Sequence, residues 1–139
     1  MRIYISDDED WIHEYLEALL KDWMRGVTLN HFLRHDECYQ RILEELPDIL
    51  VMDIIRDNIP GRPPMGDIDG FKLLSLLAVA KMKFPILVAS GSFAMPKFES
   101  TAKKFAGPDL KVFYITKPIT KELFFCALDR CAEFLPGKK

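Results

Sequence analysis

The chain has no apolar stretch long enough to cross a bilayer, and its first strand-like run begins at Arg2, which leaves no room for a signal peptide. It lacks a basic excess: 19 basic and 21 acidic side chains give a formal charge of −2, so nothing points to nucleic acid. Cysteine is scarce. Cys38, Cys126 and Cys131 are odd in number and share no metal-like spacing, which argues against a disulfide framework and for a reducing cytoplasm. There is also no internal repeat, no low-complexity tract and no composition break that would mark a second domain. What remains is 139 residues, 49% hydrophobic, enough for one domain over 1–139 with a real core.

The periodicities alternate between two kinds. Over 10–23, Ile12, Tyr15, Leu16, Leu19, Leu20 and Trp23 fall on one face of an amphipathic helix that Gly26 stops. Residues 27–33 read as a short strand, 36–46 as a second helix ended by Pro47, and 49–52 as a strand apolar on both faces. A helix follows over 70–81, and then a buried strand over 85–89. Pro96 suits the first turn of a helix that Gly107-Pro108 ends. Residues 112–116 form the last strand, and Thr120 can cap a final helix reaching about Leu135. This alternation implies an α/β domain: a doubly wound, five-stranded parallel sheet with helices on both faces.

The strands end on polar residues suited to phosphate chemistry: Asp7-Asp8, Asp53, Ser90 and Lys117-Pro118. Ligands of open parallel sheets bind beyond the carboxyl ends of the strands, so these side chains converge on one crevice. Asp7 and Asp8 are adjacent carboxylates whose repulsion a divalent cation would offset; capping of the following helix is the other reading. Asp53 closes an apolar run and can serve as a nucleophile, or simply open a loop. Ser90-Gly91 offers an uncrowded hydroxyl, or a turn. Lys117 can reach a phosphate oxygen as a point charge, and the bond to Pro118 can be cis at modest cost.

In order and position together, these residues resemble the receiver domain of two-component response regulators over nearly the whole chain. Asp7-Asp8-Glu9 matches the acidic pair, Asp53 the phosphoacceptor and Asp69-Gly70 the Asp-Gly that opens the third helix. Ser90 takes the switch hydroxyl position, Tyr114 the switch aromatic and Lys117-Pro118 the Lys-Pro. The resemblance implies a flavodoxin-like (βα)5 fold and a Mg2+ ion bound by Asp7, Asp8, Asp53 and the backbone carbonyl of Ile55. It implies that Asp53 takes a phosphoryl group from a phosphohistidine on a sensor histidine kinase or a histidine phosphotransfer protein. Ser90 and Lys117 would bind the new phosphate, Tyr114 would turn inward, and partner binding or dimerisation would change. The chain would then be a switch and not an enzyme, although it promotes its own phosphorylation and dephosphorylation.

Two other classes compete. An Asp-nucleophile phosphatase would typically carry a second Asp two residues after the nucleophile, where this chain has Ile55. A flavodoxin-like binder of nucleotide or flavin would want a phosphate loop after the first strand, where Asp7-Asp8-Glu9 would repel phosphate. His13-Glu14 begins like a zinc-protease motif, but position 17 is Glu17. His31 and His35 are expected at the surface or partly packed. Of Phe93, Phe98, Phe105, Phe113, Phe124 and Phe125, most are expected in the core, the rest on a contact surface for a second copy or a partner. The 16 residues of 54–69 make a longer segment than the family's usual form. They read either as a lid or docking loop beside Asp53 or as a solvated insertion.

Overall fold

The computed structural model describes residues 1–54, 68–91 and 95–135, and the side chains of these except at 90, 91 and 95–98. The expected backbone carbonyl of Ile55, the Ser90 hydroxyl, Phe93, the Phe98 side chain and all of 55–67 lie outside the described residues.

Strands and helices alternate along the chain. They are β1 (Arg2–Ser6), α1 (Asp10–Trp23), β2 (Thr28–Phe32), α2 (His35–Glu44), β3 (Ile49–Asp53), α3 (Gly70–Val79), β4 (Ile86–Gly91), α4 (Met95–Ala106), β5 (Val112–Lys117) and α5 (Lys121–Ala132). The five strands form one parallel sheet in the order β2-β1-β3-β4-β5. That is the flavodoxin-like order, whose direction reverses between β1 and β3.

Side-chain alternation along the strands divides the core into two layers. Ile3, Ile5, Ile49, Val51 and Leu87 pack against α1 and α5, where Leu16, Leu20, Phe124 and Leu128 meet them. Tyr4, Leu50, Met52, Ile86 and Val88 face the other way, onto Ile42, Leu73, Leu77 and Ala102 of α2, α3 and α4. β3 is buried along its whole length, which explains why its sequence shows no polar alternation.

Most element ends fall within two or three residues of the sequence expectation, and the differences have local causes. The second helix spans 35–44 where 36–46 was expected. Glu45 turns extended, its carbonyl accepting the Tyr4 hydroxyl at 2.6 Å, and the proline at 47 disfavours helical geometry at Leu46. The third helix ends at Val79, two residues short of expectation, with Lys81 in the left-handed region at φ 56°. Gly107, at φ 71°, follows the last residue of α4, and the Thr120 side chain accepts the Leu123 N–H at 3.2 Å to cap α5.

Of the phenylalanines, Phe124 is fully buried and Phe113 and Phe125 pack partly against the core. Phe105 is 45% exposed and stacks on Phe71, with ring centroids 5.4 Å apart. All three cysteines are free thiols, Cys38 and Cys131 buried and Cys126 exposed.

Candidate functional site

β1 and β3 are neighbours in the sheet, with Ser6 opposite Met52, so their carboxyl ends deliver Asp7 and Asp53 to the same place. β5 lies two strands from β3, and its last residue is Lys117. The Lys117 Nζ donates to Asp7 Oδ2 at 3.1 Å and lies 3.5 Å from Asp53 Oδ2. Asp7 and Asp53 are buried, whereas Asp8 is exposed. One carboxylate oxygen from each of the three lies within 4.8 Å of the other two.

Among the described residues, three carboxylates face one ammonium, and like charges held this close in a partly dry site repel strongly. Hard oxygen donors at this spacing fit a hard divalent cation that takes one or more carboxylates and keeps waters on its open side. The Lys117 ammonium feels opposing influences. Burial lowers its pKa, but Asp53, Asp7, the hydrogen bond to Asp7 and the charge of Glu9 together outweigh burial and hold it above the ordinary lysine value.

The alternative reading of the acidic pair as helix caps does not describe the local geometry. Glu9 is the N-cap residue of α1 and makes no side-chain cap hydrogen bond. Asp7 Oδ1 instead accepts the Glu9 backbone N–H at 2.9 Å, a local turn that leaves its other oxygen for Lys117. Capping chemistry is found at Asp69, whose side chain accepts the Lys72 N–H at 2.8 Å at the start of α3.

Gly70 follows that cap, and its reason is close approach. A Cβ there would sit 2.5 Å from the Ile54 Cα and 2.7 Å from the Asp53 carbonyl oxygen. The helix thus rests directly on the backbone of Asp53, the last residue of β3, and of Ile54 after it. The Lys117-Pro118 bond is cis, and beyond it the Ile119 carbonyl accepts the Tyr15 hydroxyl at 2.6 Å, tying this turn to α1.

Tyr114 stands on β5 among the residues packed toward α4, with its hydroxyl covered and without a hydrogen-bond partner among the described residues. Burial, with a further contribution from Glu99, pushes its phenol from 10.0 up to about 12.

Sequence reasoning missed two histidines. His35 is buried, contrary to its expected surface or partly packed place. Its Nδ1 lies 2.6 Å from Ser6 Oγ and its Nε2 2.8 Å from the Asp53 carbonyl oxygen. His13 is buried as well, with Nε2 2.8 Å from the Asp7 carbonyl oxygen and Nδ1 2.7 Å from His31 Nδ1. His31, on the exposed side of β2, continues to Glu17 at 2.9 Å. A faint signal existed for His13, which sits beside Ile12 on the apolar face of a helix; His35 offered none.

These features define an open, doubly wound α/β domain with an acidic, lysine-bridged site at its topological switch point. No protein-family model matches the chain, and no curated protein matches it. Solved structures do. The receiver domain of NtrX from Brucella abortus superposes with a TM-score of 0.72 at 20% identity, covering 94% of this chain and 98% of that one. The receiver domain of the Francisella response regulator 1452 gives 0.72 at 17% identity over 95% and 96% of the two chains. A putative response regulator from Chloroflexus aurantiacus gives 0.69 at 24% identity over 94% and 97%. The chain has the receiver-domain fold of response regulators.

Proposed function

We propose that this chain is a phosphorylation-dependent signalling switch of a two-component system, acting as one receiver unit over 1–139. The observation that carries the reading is the Lys117 ammonium drawn between the Asp7 and Asp53 carboxylates, 3.1 and 3.5 Å away, at the carboxyl end of the sheet. Asp53 is the phosphoacceptor. One of its oxygens attacks the phosphorus of a phosphohistidine on a sensor histidine kinase or phosphotransfer protein; the O–P bond forms as the N–P bond breaks, and the freed imidazole takes up a proton. Asp7, Asp8 and Asp53 hold Mg2+, with the Ile55 carbonyl as a further ligand. The bound ion supplies charge neutralisation for the incoming phosphoryl oxygens. Lys117 exchanges part of its attraction to Asp53 for the new phosphate, and Ser90 donates its hydroxyl to it.

The energies suit a switch. Inverting a two-state population from 1:99 to 99:1 needs about 5.5 kcal/mol of differential stabilisation. Hydrogen bonds to charged groups contribute about 1.5–3 kcal/mol each, so two new ones from Ser90 and Lys117 roughly suffice. Tyr114, whose covered hydroxyl has no partner among the described residues, is the residue that reports the change toward the α4–β5–α5 side. Exposed Phe105 and Leu123 there offer a surface for a second copy or a partner. Among the described residues no helix is long and apolar enough to cross a membrane, and a cytoplasmic location suits a kinase-coupled switch.

The test is incubation with Mg2+ and acetyl phosphate, followed by intact mass. A labile adduct of one phosphoryl group is expected on the wild type, and none on Asp53→Asn or after chelation of the metal. Sustained turnover of a phosphatase substrate would instead favour the enzyme reading.

A further inference from the structure

The Asp53–Ile54 peptide is held on several sides. Its N–H donates to the Ala89 carbonyl at 3.3 Å, extending the β3–β4 ladder by one bond. Gly70 presses on it from α3 so closely that any Cβ would overlap the Asp53 carbonyl oxygen. That oxygen also meets His35 Nε2 at 2.8 Å. A carbonyl can only accept, so Nε2 carries the proton; in the neutral ring Nδ1 is then an acceptor, and the Ser6 hydroxyl, 2.6 Å away, donates to it. Ser6 is 0% and His35 6% exposed, so water does not compete for these bonds. The result is a directed path from the end of β1, through the first residue of α2, to the carbonyl of the last residue of β3.

We propose that His35 is a positioning residue for the phosphoacceptor. It fixes the Asp53 carbonyl, and with it the direction in which the Asp53 carboxylate leaves the backbone toward Lys117 and Asp7. The proposal rests on the receiver reading above and adds to it a residue that acts through the Asp53 backbone. The Ala89 bond holds the N–H side of this peptide and Gly70 one face of it, while His35 holds its carbonyl oxygen; a displacement of about 1 Å in such a support can cost about 100-fold in rate. The buried carbonyl needs some donor in any case. What distinguishes positioning from mere satisfaction is whether restoring the donor restores the rate.

The experiment compares the wild-type chain, His35→Gln and His35→Leu for the rate of adduct formation with acetyl phosphate at saturating Mg2+. Histidine nitrogen correlation spectra of the wild type report the ring tautomer. Glutamine extends an amide N–H to about where Nε2 lies, whereas leucine fills the space without a donor. The wild type is expected to show the Nε2–H tautomer at His35. His35→Gln is expected to react within about threefold of wild type and His35→Leu about tenfold or more slowly, a tenfold change being about 1.4 kcal/mol of barrier. Should His35→Leu fail to fold, His35→Asn, too short to reach the carbonyl, takes its place with the same expected loss. An Nδ1–H tautomer, a folded donor-less variant as fast as wild type, or a folded His35→Gln as slow as His35→Leu would each overturn the proposal. A wild type that forms no adduct overturns the receiver reading beneath it; failure of the clamp alone leaves the wild type reactive.

Discussion

Gly70→Ala sets two physical effects of opposite sign against each other. Alanine is the better helix former, by about 0.8–1 kcal/mol in a helix interior and less in the first turn, so helix propensity favours the substitution. Space opposes it. The new Cβ would lie 2.5 Å from the Ile54 Cα, 2.7 Å from the Asp53 carbonyl oxygen and 2.8 Å from the Ile54 carbonyl carbon, all backbone atoms that cannot rotate away. Relief requires α3 or the end of β3 to move by roughly 0.5–0.9 Å, and overpacking of this kind costs about 1–3 kcal/mol. We therefore expect net destabilisation of about 1–2 kcal/mol, read in urea as a lower midpoint with an unchanged slope. Because one of the atoms displaced is the Asp53 carbonyl oxygen and the others belong to the residue joined to it, the adduct should also form more slowly. Gly107→Asn is the control: Gly107 has a left-handed φ of 71° but nothing within 4 Å of a Cβ, so asparagine, which tolerates that region, should cost little. A Gly70→Ala protein with an unchanged or higher midpoint would refute the steric argument.

Lys117→Met should destabilise the metal-free protein by about 1–3 kcal/mol, because it leaves the buried Asp7 and Asp53 carboxylates facing each other without their cation. The wild type's Lys117 contribution is fully present below the ordinary lysine pKa and is lost as pH rises through the raised folded value, so thermal melts at increasing alkaline pH should converge for wild type and variant. Asp7→Asn should raise the melting temperature without metal, by removing one charge from the cluster, and weaken Mg2+ binding by about tenfold or more, measured as loss of the Mg2+-dependent increase in melting temperature. Tyr114→Phe should be neutral or stabilising, by up to about 1–2 kcal/mol, since it deletes a covered hydroxyl without a partner among the described residues. In the wild type the unfolded phenol ionises near 10.0 and the folded one near 12, so stability should fall across that interval, and near-ultraviolet absorbance should show a late phenolate step that the variant lacks.

Taken by itself, the sequence determined what depends on short windows of chain. The helical stripe from Ile12 to Trp23, the two-sided apolar run before Asp53, the Gly107 stop and the Thr120 cap are local patterns, and each element formed close to where its period placed it. The strand-end polar residues were legible for the same reason, since a polar side chain closing an apolar run announces its own position. What it left open is what depends on residues far apart. Only the tertiary structure resolved Asp7 as a partner of Lys117, 110 positions away, and not as a cap, because that choice rests on which strand ends the sheet brings together. Only it put His35 under Asp53, 18 positions on, and exposed Phe105 while burying Phe124. A histidine carries no periodic signature, and a phenylalanine's burial depends on which face its helix turns to a neighbour. Gly70 shows the division within one residue: its Asp-Gly context was readable, but the reason for glycine is a backbone 16 residues earlier in the chain, seen only once α3 is docked on β3.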